Sequence, residues 1–293
     1  MNTEKLRMFV TLAETLNFGR ASEICHVSPS TLSRTIQQIE DELKAQLFYR
    51  DNRTVELTTA GNELLKYSRE TLQQWETFKD GIQDTNASLQ GEIRIYCSVT
   101  ASYSFLYNIL TDFRRDYPKI AIKLHTGDPA HAVERVAAGL EDIAIAAKEE
   151  SLSAELSFKS ITKSPLVFIA PLNSNWKLNQ KANPAKVKET LESIPMILSE
   201  SGVGRTQLNR WFETRSISPS IYAQVAGHEA IVSMVSLGFG LGCVPKIVLE
   251  NSPLVNEVSL FTYQPGLSNY EVGVCVLNRR LKSPVVDALW SQV

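Results

Sequence analysis

Long apolar runs are missing from this chain. No stretch of its 293 residues approaches the roughly 18 consecutive apolar positions that a bilayer-spanning helix needs. The opening segment, MNTEKLRMFV, has no basic region followed by an apolar core and a small-residue cleavage site, so no secretory leader is expected. A cytoplasmic chain with no membrane partner is therefore expected. Cysteine is scarce as well. Cys25, Cys97, Cys243 and Cys275 are scattered without CxxC spacing, and in a reducing compartment they read as buried small apolar residues. The signatures of catalysis are also lacking: there is no nucleophile elbow, no Walker loop and no GxGxxG following a strand. Gly238-Phe239-Gly240-Leu241-Gly242 echoes a glycine-rich loop but leads into a strand, the wrong context for a phosphate. Cys25 and His26 adjoin in a turn, away from any cleft. His125, Asp128 and His131 straddle a strand end and a loop, with no fourth ligand evident. No enzyme, no cofactor and no metal site is expected.

An excess of positive charge is the last absence. The net charge is −2, and the basic residues of the first 58 positions are matched by acids, so total charge does not announce nucleic acid. Its placement does. Leu6, Phe9, Val10 and Ala13 recur at helical spacing and predict a first helix from about Thr3 to Leu16, closed by Asn17 and Phe18. A short second helix is expected from about Arg20, with Ala21 and Ile24 inward, and His26-Val27 makes the turn. Ser28 then caps a third helix whose first helical position is Pro29, where a missing N–H costs nothing. Leu32, Ile36, Ile39 and Leu43 form its inward stripe.

The outward face of that third helix carries Ser30, Thr31, Ser33, Arg34, Gln37 and Gln38. Short hydroxyl side chains let a backbone approach phosphates. Arginine and glutamine have the donor geometry for guanine and adenine edges in the major groove. Glu40, Asp41 and Glu42 follow only at the far end. After the helix, Leu47-Phe48-Tyr49-Arg50 and Thr54-Val55-Glu56-Leu57 flank the turn residues Asp51-Asn52-Arg53, which predicts a two-stranded wing with Arg53 at its tip. A polar-faced three-helix bundle with a solvated loop is the alternative reading of these residues.

The strings LRMFVTLAETLNFGRAS, VSPSTLSRTIQQIEDEL and LFYRDNRTVELTTAG resemble the winged helix-turn-helix of LysR-type transcriptional regulators. That resemblance implies double-stranded DNA as a partner, with Pro29, Ser30, Ser33, Arg34 and Arg53 at positions that contact it. Thr31 and Gln37 join them from their placement on the helix. Many members of the family have Gln-Pro where this chain has Pro29-Ser30, and proline brings no side-chain donor to the helix tip.

Thr58 is placed to cap a long fourth helix running to about Thr85. Leu65, Ser68, Leu72, Trp75, Lys79 and Ile82 alternate by three and four, a coiled-coil seam, and Leu64, Thr71 and Phe78 add a flanking row. The dimerising positions are taken as Leu65, Leu72, Trp75 and Ile82. Asn86 to Gly91 is a polar hinge. From there strand and helix patterns alternate, which predicts a two-lobed α/β domain with a largely parallel sheet. The expected fold is α+β. A winged helix-turn-helix (1–58) and a linker helix with hinge (59–90) precede an effector-binding domain of the periplasmic-binding-protein type (91–293). Lobe I is expected at about 91–162 and 278–293, lobe II at about 163–277.

Ligands in such folds sit at the carboxyl ends of strands. Ser98, Thr100 and the N–H groups at Ala101 offer a carboxylate seat at a helix start. Thr126, Ser201, Gly202 and His228 are expected around the same mouth, with Arg205 as a candidate counter-charge. Helix capping alone is the alternative reading of Ser98 and Thr100. The strings YCSVTASYSFL, KLHTGDPAHAVERV and GHEAIVSMVSLGFGLGCVP resemble the branch of the family that activates the acetohydroxy acid isomeroreductase gene of isoleucine–valine biosynthesis. The resemblance implies the small-molecule acids 2-acetolactate and 2-aceto-2-hydroxybutyrate as inducers, a homodimer or homotetramer, and contact with RNA polymerase. A regulator of another pathway answering to a different organic acid, or a transport-type solute-binding protein, are the competing readings.

Overall fold

The computed structural model describes residues 2–50, 54–83, 89–174, 176, 183–263 and 266–293, with the backbone alone for residues 50 and 80–83. The chain divides into two compact units, residues 1–87 with 138–140 and residues 88–137 with 141–293.

The first unit opens with α1 (Thr3–Thr15), α2 (Phe18–Ile24) and α3 (Pro29–Leu43). Leu6, Phe9 and Ala13 lie on the buried face of α1 as their spacing predicts, but its fourth buried residue is Leu12, while Val10 is only partly buried. Leu16 takes a left-handed conformation and ends the helix. Asn17 does more than close α1. Its Oδ1 accepts from the Arg20 N–H at 2.9 Å and caps α2, which therefore starts at Phe18, two residues before the sequence suggested. Ile24 and Leu43 stand 52% and 44% exposed, because each lies in the last turn of its short helix, past the edge of the bundle. The core is Phe9, Leu12, Leu32, Ile36, Ile39, Leu47 and Phe48.

Strands β1 (Phe48–Arg50) and β2 (Val55–Leu57) pair antiparallel, Phe48 opposite Leu57 and Arg50 opposite Val55. The tip residue Arg53 lies outside the described residues. Helix α4 (Thr59–Gln83) follows at once, capped by the Thr58 hydroxyl, which accepts from the Gly61 N–H at 2.9 Å. Leu64 and Ser68 are buried against the bundle and Leu65 is partly buried on the same core. Arg69 reaches Glu14 at 3.0 Å, and Arg7 pairs with Glu76. The near end of the expected seam is thus occupied by the chain's own helices, since the i, i+4 row that begins at Leu64 faces α1. Further along, Tyr67, Trp75 and Phe78 are 53%, 43% and 58% exposed, with the last two rings 5.9 Å apart. The Ile82 side chain and hinge residues 86–88 lie outside the described residues.

The second unit begins with β3 (Gln90–Cys97) and a helical stretch: α5 (Val99–Ala101), a π-helical segment (Ser102–Leu106) and α6 (Tyr107–Asp116). Then come β4 (Lys119–Thr126), α7 (Ala132–Ala137), β5 (Ile143–Ala147) and the 16-residue strand β6 (Leu156–Pro171). The other lobe holds α8 (Pro184–Ser193), β7 (Met196–Ser199), α9 (Val203–Glu213), β8 (Ile221–Val225), α10 (His228–Ser236), β9 (Leu241–Pro245) and α11 (Lys246–Glu250). The chain closes with β10 (Val258–Phe261), β11 (Asn269–Leu277) and α12 (Pro284–Ser291).

Strand order is β4-β3-β5-β11-β6-β9-β7-β8, with β10 beside β6. The two flanks are parallel, β3 with β4 and β5, and β7 with β8 and β9. The middle is antiparallel, which the alternating pattern did not reveal. There β6 runs through both lobes: its first half pairs with β11 and its second half with β9 and β10. Because β11 pairs with β5 from Val272 to Val276, it belongs to lobe I, and the return crossing precedes Asn269 instead of following Leu277.

Side-chain alternation covers both faces of the sheet. In β6, Leu166, Phe168 and Ala170 enter the large central core, while Val167 and Ile169 face a second core with Ile197, Ile231 and Val235. Residues buried on both faces read as a continuous apolar run, as Leu166 to Ala170 do. Between β3 and the close of lobe I, Asp142 holds two arginines. It accepts from Arg94 (3.0 Å) and Arg280 (2.6 Å), and both Asp142 and Arg280 are buried.

Candidate functional site

The DNA-facing candidates sit on α3. The Ser28 Oγ accepts from the Thr31 N–H at 3.1 Å and lies within 2.9 Å of the Ser30 hydroxyl and 2.8 Å of the Thr31 hydroxyl. Pro29, Ser30, Thr31, Arg34, Gln37 and Gln38 are exposed, and Ser33 is half-buried. The helix start therefore presents a small hydroxyl cluster, with Arg34 and Gln37 further along. Glu40 plays a structural part instead. Its Oε1 accepts from the Leu47 N–H at 2.9 Å, tying the end of α3 to the wing.

The effector candidates come from loops far apart in sequence. Two small cavities lie in the cleft, each with about 30 Å³ of internal space. Ser98, Thr100 and Ala101 line one, Ser201 and Gly202 the other, and His228 and Tyr270 stand between them and line both. The loop glycines are there for backbone reasons. Gly202 (φ 92°) and Gly227 (φ 81°) occupy the left-handed region, and a Cβ on Gly202 would come within 3.0 Å of Ala130.

Thr126 and Arg205 are not brought into this cluster. Thr126 ends β4 opposite Cys97, is exposed and lines neither cavity. Arg205 donates to the Ser199 carbonyl (2.8 Å), Asn209 (2.9 Å) and Gln224 (3.3 Å) within its own lobe. Among the described residues, neither cavity is lined by a lysine or an arginine. His125, Asp128 and His131 each pair with a different neighbour. His125 bonds Glu141 at 3.0 Å, His131 lies 3.6 Å from Glu134, and Asp128 accepts from the Ala130 N–H at 3.0 Å.

Three residues stand at the cleft that the sequence did not assign to an effector site. Tyr270 packs edge-on to His228 with ring centroids 5.7 Å apart, and Asp128 lines the cleft from the loop after β4. The third is Glu229. The Ser98 hydroxyl caps its helix by accepting from the Ala101 N–H at 3.1 Å, as expected. The Thr100 N–H and Oγ1 already donate to a carboxylate, at 2.8 and 2.6 Å, and that carboxylate is Glu229 of α10. Burial by itself raises the Glu229 carboxyl, but the Thr100 bonds and its own backbone N–H outweigh it and hold the group below the usual range. Burial pushes the His228 imidazole down and the Tyr270 phenol up, so both are neutral in the cleft at neutral pH. A short polar residue at a helix start was legible as a seat. Its occupant was not, because the two are 129 residues apart.

Three of the four cysteines are buried as expected, while Cys25 is only partly buried. Cys97, Cys243 and Cys275 are buried, and burial pushes the Cys97 thiol up to about 12 and the Cys275 thiol to about 11.

Residues 3–62 match the model of bacterial regulatory helix-turn-helix proteins of the lysR family, and residues 86–293 match the LysR substrate binding domain. The chain belongs to the LysR family. It is a LysR-type transcriptional regulator. It is 43% identical to the HTH-type transcriptional activator IlvY of Salmonella typhimurium over 293 residues, covering 99% of this chain and 98% of the relative. It is 40% identical to the IlvY activator of Haemophilus influenzae, with both chains covered in full. Among solved structures, a full-length OxyR variant from Pseudomonas aeruginosa matches with a TM-score of 0.71 at 21% identity, covering 100% of this chain and 94% of that one. Full-length CbnR complexed with its target DNA matches with a TM-score of 0.66 at 19% identity, covering 100% and 99%. At those identities the likeness is one of fold. The family consists of regulators, which answers the expectation of a non-enzyme, and no helix among the described residues is long and apolar enough to cross a membrane.

Proposed function

We propose that this LysR-type regulator is an inducer-responsive activator of the gene for acetohydroxy acid isomeroreductase in isoleucine–valine biosynthesis. The observation that carries the proposal is the 43% identity to an IlvY activator across nearly the whole of both chains, cleft and DNA module together. Helix α3 enters the major groove with Arg34 and Gln37 toward base edges, and Pro29, Ser30, Thr31 and Ser33 toward phosphates. Arg53 reaches the backbone or minor groove from the wing. Pairing through α4 brings two such helices together, and the exposed Trp75 and Phe78 rings support a partner surface there. Pairing of effector domains extends the dimer to a tetramer that meets RNA polymerase on the promoter. The protein works in the cytoplasm.

The inducer is 2-acetolactate or 2-aceto-2-hydroxybutyrate. Its carboxylate takes the helix start at Ser98, Thr100 and Ala101, and its hydroxyl and keto oxygens meet Ser201, Gly202 and His228. With no lysine or arginine among the described residues that line the two cavities, neutral donors and the helix dipole carry the anion. Differential affinity of the acid for two lobe arrangements then shifts the DNA-bound state. A thermal-shift screen of branched-chain pathway acids tests this reading. The two acetohydroxy acids are expected to raise the melting temperature and valine and isoleucine to leave it unchanged. A response to an unrelated acid alone would move the chain to another pathway.

A further inference from the structure

Glu229 occupies the place at which an acid ligand is expected. It is the second residue of α10 in lobe II, yet its carboxylate oxygen accepts both the backbone N–H and the hydroxyl of Thr100 in lobe I. Two helix starts converge on this one group. Gly227 gives α10 no side-chain cap, and Ser98 serves only Ala101 on the other side. A negative charge is favoured at each helix start, and a carboxylate accepting two donors there is held by charge-assisted bonds. The cavities beside it, about 30 Å³ each, hold one or two waters and no branched hydroxy-keto acid. A second carboxylate beside the first is disfavoured: like charges a few ångströms apart oppose each other, and no lysine or arginine among the described lining residues compensates.

We propose that Glu229 is a built-in stand-in for the inducer carboxylate, bridging the lobes across the cleft, and that the ligand binds by expelling it. The seat then passes from an internal acid to an external one. The bonds lost at Thr100 are regained by the ligand, while the link between α10 and lobe I is broken. Glu229 therefore sets both the affinity for an acid and the lobe arrangement when none is bound. This rests on the placement of the acid site given above, and its test is built to separate the two.

The first arm needs no ligand. Amide hydrogen exchange at Thr100 in the full-length protein is expected to rise about tenfold or more in Glu229→Ala, as the loss of a charge-assisted bond implies, and less in Glu229→Gln, whose amide oxygen still accepts. Unchanged exchange would overturn the proposal. The second arm is calorimetric titration with 2-acetolactate. Expulsion predicts tighter binding by about tenfold in Glu229→Ala, with Glu229→Gln between it and the wild type. Weaker binding in both variants would make Glu229 a direct ligand contact and sink the stand-in, and equal binding would make it a bystander. Silence of every form toward 2-acetolactate, with faster Thr100 exchange in Glu229→Ala, would retire the inducer assignment and leave the internal bridge standing.

Discussion

The recognition helix and the effector cleft hold their polar groups in opposite states. On α3, Arg34, Gln37 and Gln38 are exposed on a helix fixed from beneath by Leu32, Ile36 and Ile39. In the cleft, Thr100, Ser98, Asp128 and Glu229 are hydrogen-bonded to the protein itself, and the two cavities are small. On the proposed reading, the first is a surface already exposed for DNA. The second is satisfied by the protein's own groups, so on the proposed reading a ligand exchanges with internal bonds. A sensor needs that exchange, because a ligand shifts an equilibrium only by the difference in its affinity for the two states.

The comparison can be broken most forcefully at Asp142. Burial alone would raise its carboxyl, but the charges of Arg280 and Arg94 and the Arg94 hydrogen bonds hold it below the usual carboxylate range. A carboxyl lowered on folding contributes stability above its ordinary pKa and loses it as pH falls through the folded value. Asp142→Asn leaves Arg280 buried beside a neutral amide and is expected to cost about 3–5 kcal/mol. For a domain of this size that lowers the melting temperature of the effector unit by roughly 10 °C. Calorimetric scans at pH 7 and pH 3 check it: the gap between wild type and variant narrows at the lower pH. A gap unchanged at pH 3 would remove the charge from the explanation.

Next in size is Arg34→Ala. Loss of one bidentate base contact is worth about 1–3 kcal/mol of operator affinity, while a substitution at an exposed helix position leaves stability within about 0.5 kcal/mol. Gel retardation beside a melting curve separates the two. A variant that binds the operator normally would take the recognition surface away from this face of α3. The smallest expected effect is at the linker. Trp75→Ala removes a half-exposed ring from the proposed seam and is expected to weaken dimerisation by about 1–2 kcal/mol. Sedimentation at several concentrations reads it, and an unmoved dissociation constant would place the pairing surface elsewhere on α4.

What was legible in the sequence follows the same divide. Helix α3 could be read from Ser28, Pro29 and an i, i+3, i+4 stripe, all local signals. The start of α2 was misjudged because Asn17 looked like the end of one helix and is the cap of the next. Residues 156–165, the first half of β6, carry no clean alternation, being half-buried between β11 and solvent. The assignment of β11 to lobe I depends on pairing with β5, more than a hundred residues earlier. In the cleft, Ser98 and Thr100 showed themselves by helix-start chemistry. Glu229 and Tyr270 carry no local signal that places them in the cleft. Their roles come from where distant segments meet, and only the folded chain brings them together.

The central claim is that a small acid in the cleft governs how this protein holds its promoter. The most direct measurement is a footprint and DNA-bending assay on the promoter of the reductoisomerase gene, with and without 2-acetolactate, for the wild type and for Thr100→Ala. The account predicts a change of footprint and bend on adding the acid to the wild type, and no change for Thr100→Ala, which still binds the site. Identical patterns with and without the acid in the wild type, or an undiminished response in Thr100→Ala, would contradict it.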